Sequence, residues 1–273
     1  MSFPRARQHF YQEITQPDEQ IDLAKAALYI AQEEYPNLDP AEYLNALDTM
    51  ASEVQRLPAQ QYPLRIIQTI NQYLYDDLGF TGNTTDYYDP RNSFLNQVID
   101  RRIGIPITLS LVYLEVARRI DFPMVGVGMP GHFLIRPAVA QMEIFVDAFN
   151  RGEVLFPEDC QERLTQVYGQ PVTPKPDFLE SVTPRQFLAR MLTNLKFIYL
   201  KRQEWELALA AVERILLLFP GVPVELRDRG FIYYHLGRWA AAGDDFENYL
   251  ANVPSAEDAP VIRRLLNELG RNN

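Results

Sequence analysis

Few side chains in this sequence can do acid–base or nucleophilic chemistry. There are three histidines, His9, His132 and His235, and one cysteine, Cys160. His132 opens the β-rich run HFLIRP, and Asp147 nearly closes the next run, MEIFVDAF. Two such runs on a short connector pair antiparallel, which brings the start of one beside the end of the other. His132 and Asp147 are therefore expected to be hydrogen-bonded neighbours sharing one face. Such a pair can polarise a water or bind a ligand, but covalent catalysis also needs a nucleophile. The same pair could equally be a core histidine tied to a carboxylate for stability. His9 and His235 read as packing or surface residues.

Two side chains are nucleophile candidates. Cys160 lies in PEDCQERL, near the first turn of a helix, where the dipole favours thiolate. Glu158, Asp159 and Glu162 around it oppose that charge, and a lone cysteine also serves as a small hydrophobe. Thr108 sits inside a helix, where a hydroxyl is usually tied to the backbone. A metal held by His132, Asp147 and Glu143 is the weakest reading, because their spacing is not that of a ligand set. No metal or cofactor is expected.

The elements that must position these residues change character along the chain. The opening hundred residues read helical. Asp39, Pro40 and Glu42 form a helix-start signature, cap, first-turn proline and capping-box acid, for a helix to about Arg56. Another helix follows Pro63, with Ile66, Ile67, Ile70, Tyr73 and Leu74 at helical spacing. FTGNTTDYYDPRNS is a long polar loop. Pro106 starts ITLSLVYLEVARRI, apolar for its first three turns and therefore a buried central helix. MVGVGM, HFLIRP and MEIFVDAF then form an antiparallel sheet on that helix, with Pro130-Gly131 as a tight turn before His132. Residues 168–184, with Pro171, Pro174, Pro176 and Pro184, suit an extended connector.

After the connector the sequence repeats itself. Tyr199 and Tyr233, Trp205 and Trp239, Ala208 and Ala242, Val212 and Phe246, and Pro220 and Pro254 are each 34 residues apart. That is the tetratricopeptide period. Gly230 takes the small-residue slot of its unit, whereas the first unit has Lys196 there. Residues 258–269 read as a closing helix. The expected architecture is an α+β domain over 1–182, followed by an all-α segment over 183–273 with two repeats and the closing helix.

Composition narrows the partners. A formal net charge of −10 disfavours an extended nucleic-acid footprint. The most apolar helix-length stretch, 105–120, carries Glu115, Arg118 and Arg119 and is too short and too charged to span a bilayer. The N-terminal residues have no apolar segment of the secretory kind, so a cytoplasmic location is expected.

The strings DPRNSFLNQVIDRRIGIPITLSLVYLEVARR, VGVGMPGHFLIR and FVDAFNRG resemble the transglutaminase-like, papain-related superfamily, and within it the SirB-type proteins. The resemblance covers residues 89–152 most specifically, and SirB-type proteins often carry C-terminal tetratricopeptide units. It implies a papain/transglutaminase-like fold, with His132 as catalytic base and Asp147 as its orienting acid. It also implies a nucleophilic cysteine at the start of the central helix, beside the imidazole. Here that place falls on Pro106, or with a shift of one on Ile105 or Ile107, none of which is a nucleophile. The expected function is then a non-catalytic protein-binding, adaptor or regulatory protein. Its partners would be proteins or peptides, held by the repeat groove and by a cleft lined by Tyr87, Tyr88, Asn92 and Asn96. The alternative is a hydrolase or acyltransferase using His132 and Asp147 with Cys160, Thr108 or an activated water.

Overall fold

The computed structural model describes residues 4–57, 62–139, 142–170 and 176–272. Ala140 of the connector between the second and third β-rich runs, and Pro171 and Pro174 of the proline-rich connector, lie outside the described residues. The chain divides into two compact units, Met1–Leu188 and Ala189–Asn273. The first is α+β and the second all-α.

The first unit opens with helices α1 (Arg5–Ile14), α2 (Leu23–Gln32), α3 (Pro40–Arg56) and α4 (Pro63–Asn71). Local chemistry sets their starts. The Asp39 carboxylate accepts the Ala41 N–H at 3.0 Å and Pro40 fills the first turn of α3, so the cap satisfies an otherwise orphaned donor. α4 runs into a π-helical turn, Gln72–Asp77. The polar loop that follows contains two residues of strand, β1 (Thr81–Gly82), parallel to β2 (Ile103–Gly104) across the short helix α5 (Leu95–Arg101).

Helix α6 (Pro106–Arg119) is buried at every position from Pro106 to Ala117. Its apolar surface all round requires cover on all sides. α3 and α5 pack against it, as do the sheet strands β3 (Met124–Val127) and β4 (Leu134–Pro137). The sheet continues through β5 (Phe145–Asp147) and β6 (Glu153–Leu155), antiparallel throughout, in the order β3-β4-β5-β6. β6 has no counterpart among the sequence expectations, since three residues with an exposed Glu153 carry no periodic signal. Helix α7 (Pro157–Tyr168) follows it. Val127, Met129, Leu134, Phe145 and Leu155 of the sheet region form one apolar core with Cys160 and Leu164 of α7.

Helix α8 (Pro184–Arg202) contains the division between the units. Within the second unit come α9 (Trp205–Leu218), α10 (Pro223–His235), α11 (Trp239–Asn252) and α12 (Ala259–Asn272). The 34-residue period maps onto these helices. Trp205 and Trp239 begin α9 and α11, and Ala208 and Ala242 are both buried. A Cβ added to Gly230 would lie 2.6 Å from the Phe246 ring, so only glycine lets α10 and α11 approach this closely. In the matching slot Lys196 is buried, and its Nζ donates to Glu225 Oε1 at 2.7 Å and Asp228 Oδ2 at 2.8 Å. Among the described residues no helix is long and apolar enough to cross a membrane.

Candidate functional site

His132 is delivered by a turn. Pro130 and Gly131 occupy its centre, Gly131 has φ +72°, and the His132 N–H closes it on the Met129 carbonyl at 3.1 Å. This is the type II pattern, with proline first and a positive-φ glycine second. A Cβ at Gly131 would also meet Val167 of α7 at 2.9 Å. The turn thus sets His132 at the entry to β4, close against α7.

Asp147 ends β5 and is fully buried. His132 Nε2 lies 2.8 Å from its Oδ2, with the imidazole 16% exposed. The same carboxylate accepts the Asn150 Nδ2–H at 2.8 Å, the Phe149 N–H at 3.0 Å and the Asn150 N–H at 3.2 Å. The Arg163 guanidinium of α7 donates to it as well, and bridges on to Glu153 of β6. Burial pushes the Asp147 carboxyl up, but the bond and charge of His132, the Asn150 amide and the Arg163 charge outweigh it and bring the pKa to about 2. Asp147 is therefore an ionised acceptor at neutral pH, and the imidazole donates to it through Nε2.

The loop between β5 and β6 is fixed from below. Tyr75 OH donates to the Ala148 carbonyl at 2.9 Å, and Asn71 Nδ2 to the Gly152 carbonyl at 2.7 Å. Tyr113 of α6 in turn donates to Asn71 Oδ1 at 3.0 Å. These bonds hold Phe149, whose ring meets His132 edge-on, with centroids 6.2 Å apart. Phe149 also sits on Gly82, where a Cβ would be 2.6 Å away, and Gly82 pairs with Gly104 just before α6. An aromatic ring is thus the link between the start of α6 and the imidazole.

A groove of about 650 Å³ opens beside the pair. His132, Phe149 and Arg163 line it with Asp159, Glu162 and Val167. Ile105, Pro106 and Ile107 do not line it. All three are buried, with Pro106 in the first turn of α6, a position it fills for its preset φ.

The nucleophile candidates are both occupied elsewhere. Cys160 is fully buried in the core between sheet and α7, and burial pushes its thiol up to about 11. The nearby Arg163 charge lowers it less than burial raises it. Thr108 is buried, and its Oγ1 donates to the Asn92 carbonyl at 2.6 Å and accepts the Ile105 N–H at 3.2 Å. Among the described residues no group of three or more His, Cys, Asp and Glu side chains could hold a metal ion, so Glu143 completes no ligand set.

The four residues expected to line a cleft separate into two pairs. Tyr87 and Tyr88 are exposed, and the Tyr87 ring meets Phe149 edge-on at 6.2 Å. Asn92 and Asn96 are buried, and none of the four lines the groove. The loop turns its own carbonyls inward, and Asn92 Nδ2 caps two of them, Asp86 at 2.8 Å and Tyr87 at 3.3 Å. Arg163 and Phe149 were not legible as site residues. Arg163 comes from α7, beyond the β-rich runs, and Phe149 is the last residue of MEIFVDAF; only the fold turns them towards the His132–Asp147 pair.

Residues 41–193 match the Transglutaminase-like superfamily, and residues 195–267 match the Tetratricopeptide repeat. A UPF0162 protein of Xylella fastidiosa is 38% identical over 93% of this chain and 92% of its own length. A UPF0162 protein of Vibrio cholerae is 32% identical over 73% of this chain and 74% of its own length. F-box only protein 21 of Homo sapiens is 33% identical over 64% of this chain but 29% of its own length. No solved structure matches the chain. The first match takes in α6, the whole sheet and the His132–Asp147 pair, and it spans more than half of the sequence. By the family match and these relatives, the chain belongs to the transglutaminase-like superfamily, together with the UPF0162 proteins.

Proposed function

We propose that this chain is a SirB-type member of the superfamily that binds protein segments and forms no thioester, with the groove beside His132 as one binding surface and the repeats as another. The observation that carries the reading is the buried Pro106 at the first turn of α6, where the resemblance calls for a cysteine. Three features support it. The thiol of Cys160 is buried with a raised pKa, Thr108 is committed to backbone partners, and Phe149 fills the space between Gly82 and the imidazole. Tetratricopeptide units stack into concave surfaces that bind peptides, which suits the second unit to protein partners.

The test is affinity capture from a native-host extract with the full chain and its Phe149→Ala and Val167→Ala variants, both at groove-lining positions. A protein retained by the parent and lost by a groove variant of unchanged thermal stability is the expected result. Identical capture by all three would remove the groove from the reading. A second reading, a hydrolase using an activated water, is favoured only by the 2.8 Å contact between His132 and Asp147. It requires turnover that His132→Ala abolishes.

A further inference from the structure

We propose that the groove beside His132 takes a basic extended peptide, one carrying Lys or Arg side chains. The inference rests on the reading of this groove as a binding surface and adds the chemistry of its occupant. The groove supplies the walls, with Phe149 and Val167 apolar beside His132. Its charge supplies the selection. Glu153, Asp159 and Glu162 line it against a single guanidinium, Arg163, which is already shared between Asp147 and Glu153. Asp159 gives one oxygen to the Phe156 N–H at 2.7 Å, the helix start of α7, and Glu162 is exposed. The concavity does not stop there. Glu162 also lines a second depression of about 500 Å³ along α7, with Glu158, Gln161 and Thr165. A peptide lying along α7 would therefore meet apolar walls at His132 and then successive carboxylates. An acidic segment would meet like charges, which costs affinity and slows encounter.

The test is fluorescence anisotropy with the full chain and three labelled peptides of equal length, alternating Val with Lys, Glu or Ser. The Lys peptide is expected to bind most tightly and to weaken with salt. Glu158→Lys combined with Glu162→Lys should raise its Kd about tenfold or more. Both positions are exposed, so the fold is not at risk, and Glu42→Lys combined with Asp77→Lys, also at exposed positions and away from the groove, is the charge-matched control. Phe149→Ala should also weaken binding. If the Ser peptide binds as tightly as the Lys peptide and Phe149→Ala abolishes both, the groove reading stands and the basic-peptide inference falls. If the Lys peptide binds but ignores both Phe149→Ala and the paired reversal, the inference also falls. Binding of none of the three peptides would overturn the inference and the groove reading together.

Discussion

Both units of this molecule bury charged side chains, and two of these, Lys196 and Asp147, are buried to opposite ends. Lys196 of α8 sits inside the helical repeats, its ammonium held by Glu225 and Asp228 of α10. Asp147 sits at the end of a strand with donors from the histidine turn, its own loop and α7, buried behind His132 and Arg163, which line an open groove. The first arrangement resolves a local packing problem. In the second repeat Gly230 admits the large Phe246, whereas the first repeat has the smaller Val212 at the matching position, and the chain sets a lysine stem where glycine would be. The second arrangement converges on one carboxylate and orients an imidazole that solvent reaches. A buried charge with partners only between two helices is a packing device. One that several separate elements converge on, beside a groove, marks a candidate site.

The comparison can be broken most forcefully at Lys196. Lys196→Met leaves Glu225 buried without its cation, and removal of one partner from a buried pair costs about 3–5 kcal/mol. Urea unfolding of the full chain should show a loss of that order. Lys196→Met with Glu225→Met should recover most of it, because apolar replacement of both partners is often near neutral. A loss within about 0.5 kcal/mol for the single variant, the range of an ordinary surface change, would mean the lysine is not structural.

At Asp147 the expected effect is smaller and depends on pH. Its folded pKa of about 2 lies below the ordinary 3.8. The linked stabilisation, about 2 kcal/mol, is complete above the unfolded value and is lost as pH falls from about 4 towards 2. The parent should therefore lose stability across that window. Asp147→Asn should be less stable near neutrality by a similar amount, and its acid profile should lack that step. Parallel profiles for the two proteins would show that the carboxylate is not held by its donors.

How much of this was legible follows from the range of each signal. The helix start at Asp39-Pro40 depends on neighbours in sequence, and the repeat on a fixed period, so both could be read directly. The approach of His132 to Asp147 needed only two consecutive β-rich runs and the antiparallel rule. Phe149 lies over Gly82, and Arg163 reaches Asp147 and Glu153, through contacts that have no local pattern. Asn92 misled for a related reason. Polar residues in a loop suggest an exposed lining, yet this loop needed a donor for its own inward carbonyls. Phe149 shows the same limit, since no spacing announces that a ring will lie over a glycine some seventy residues earlier, as it does over Gly82.

The most direct test of the central claim, a superfamily site without thiol chemistry, uses the single cysteine. With a thiol-directed acyl probe at neutral pH, Cys160 should react more slowly in the native chain than in the urea-unfolded chain. A pKa of about 11 in place of 9.0 makes the expected factor roughly a hundredfold from thiolate population alone, before burial of the sulfur slows access further. Labelling faster in the native protein than in the unfolded one, and abolished by His132→Ala, would show that the imidazole activates this thiol and would contradict the account.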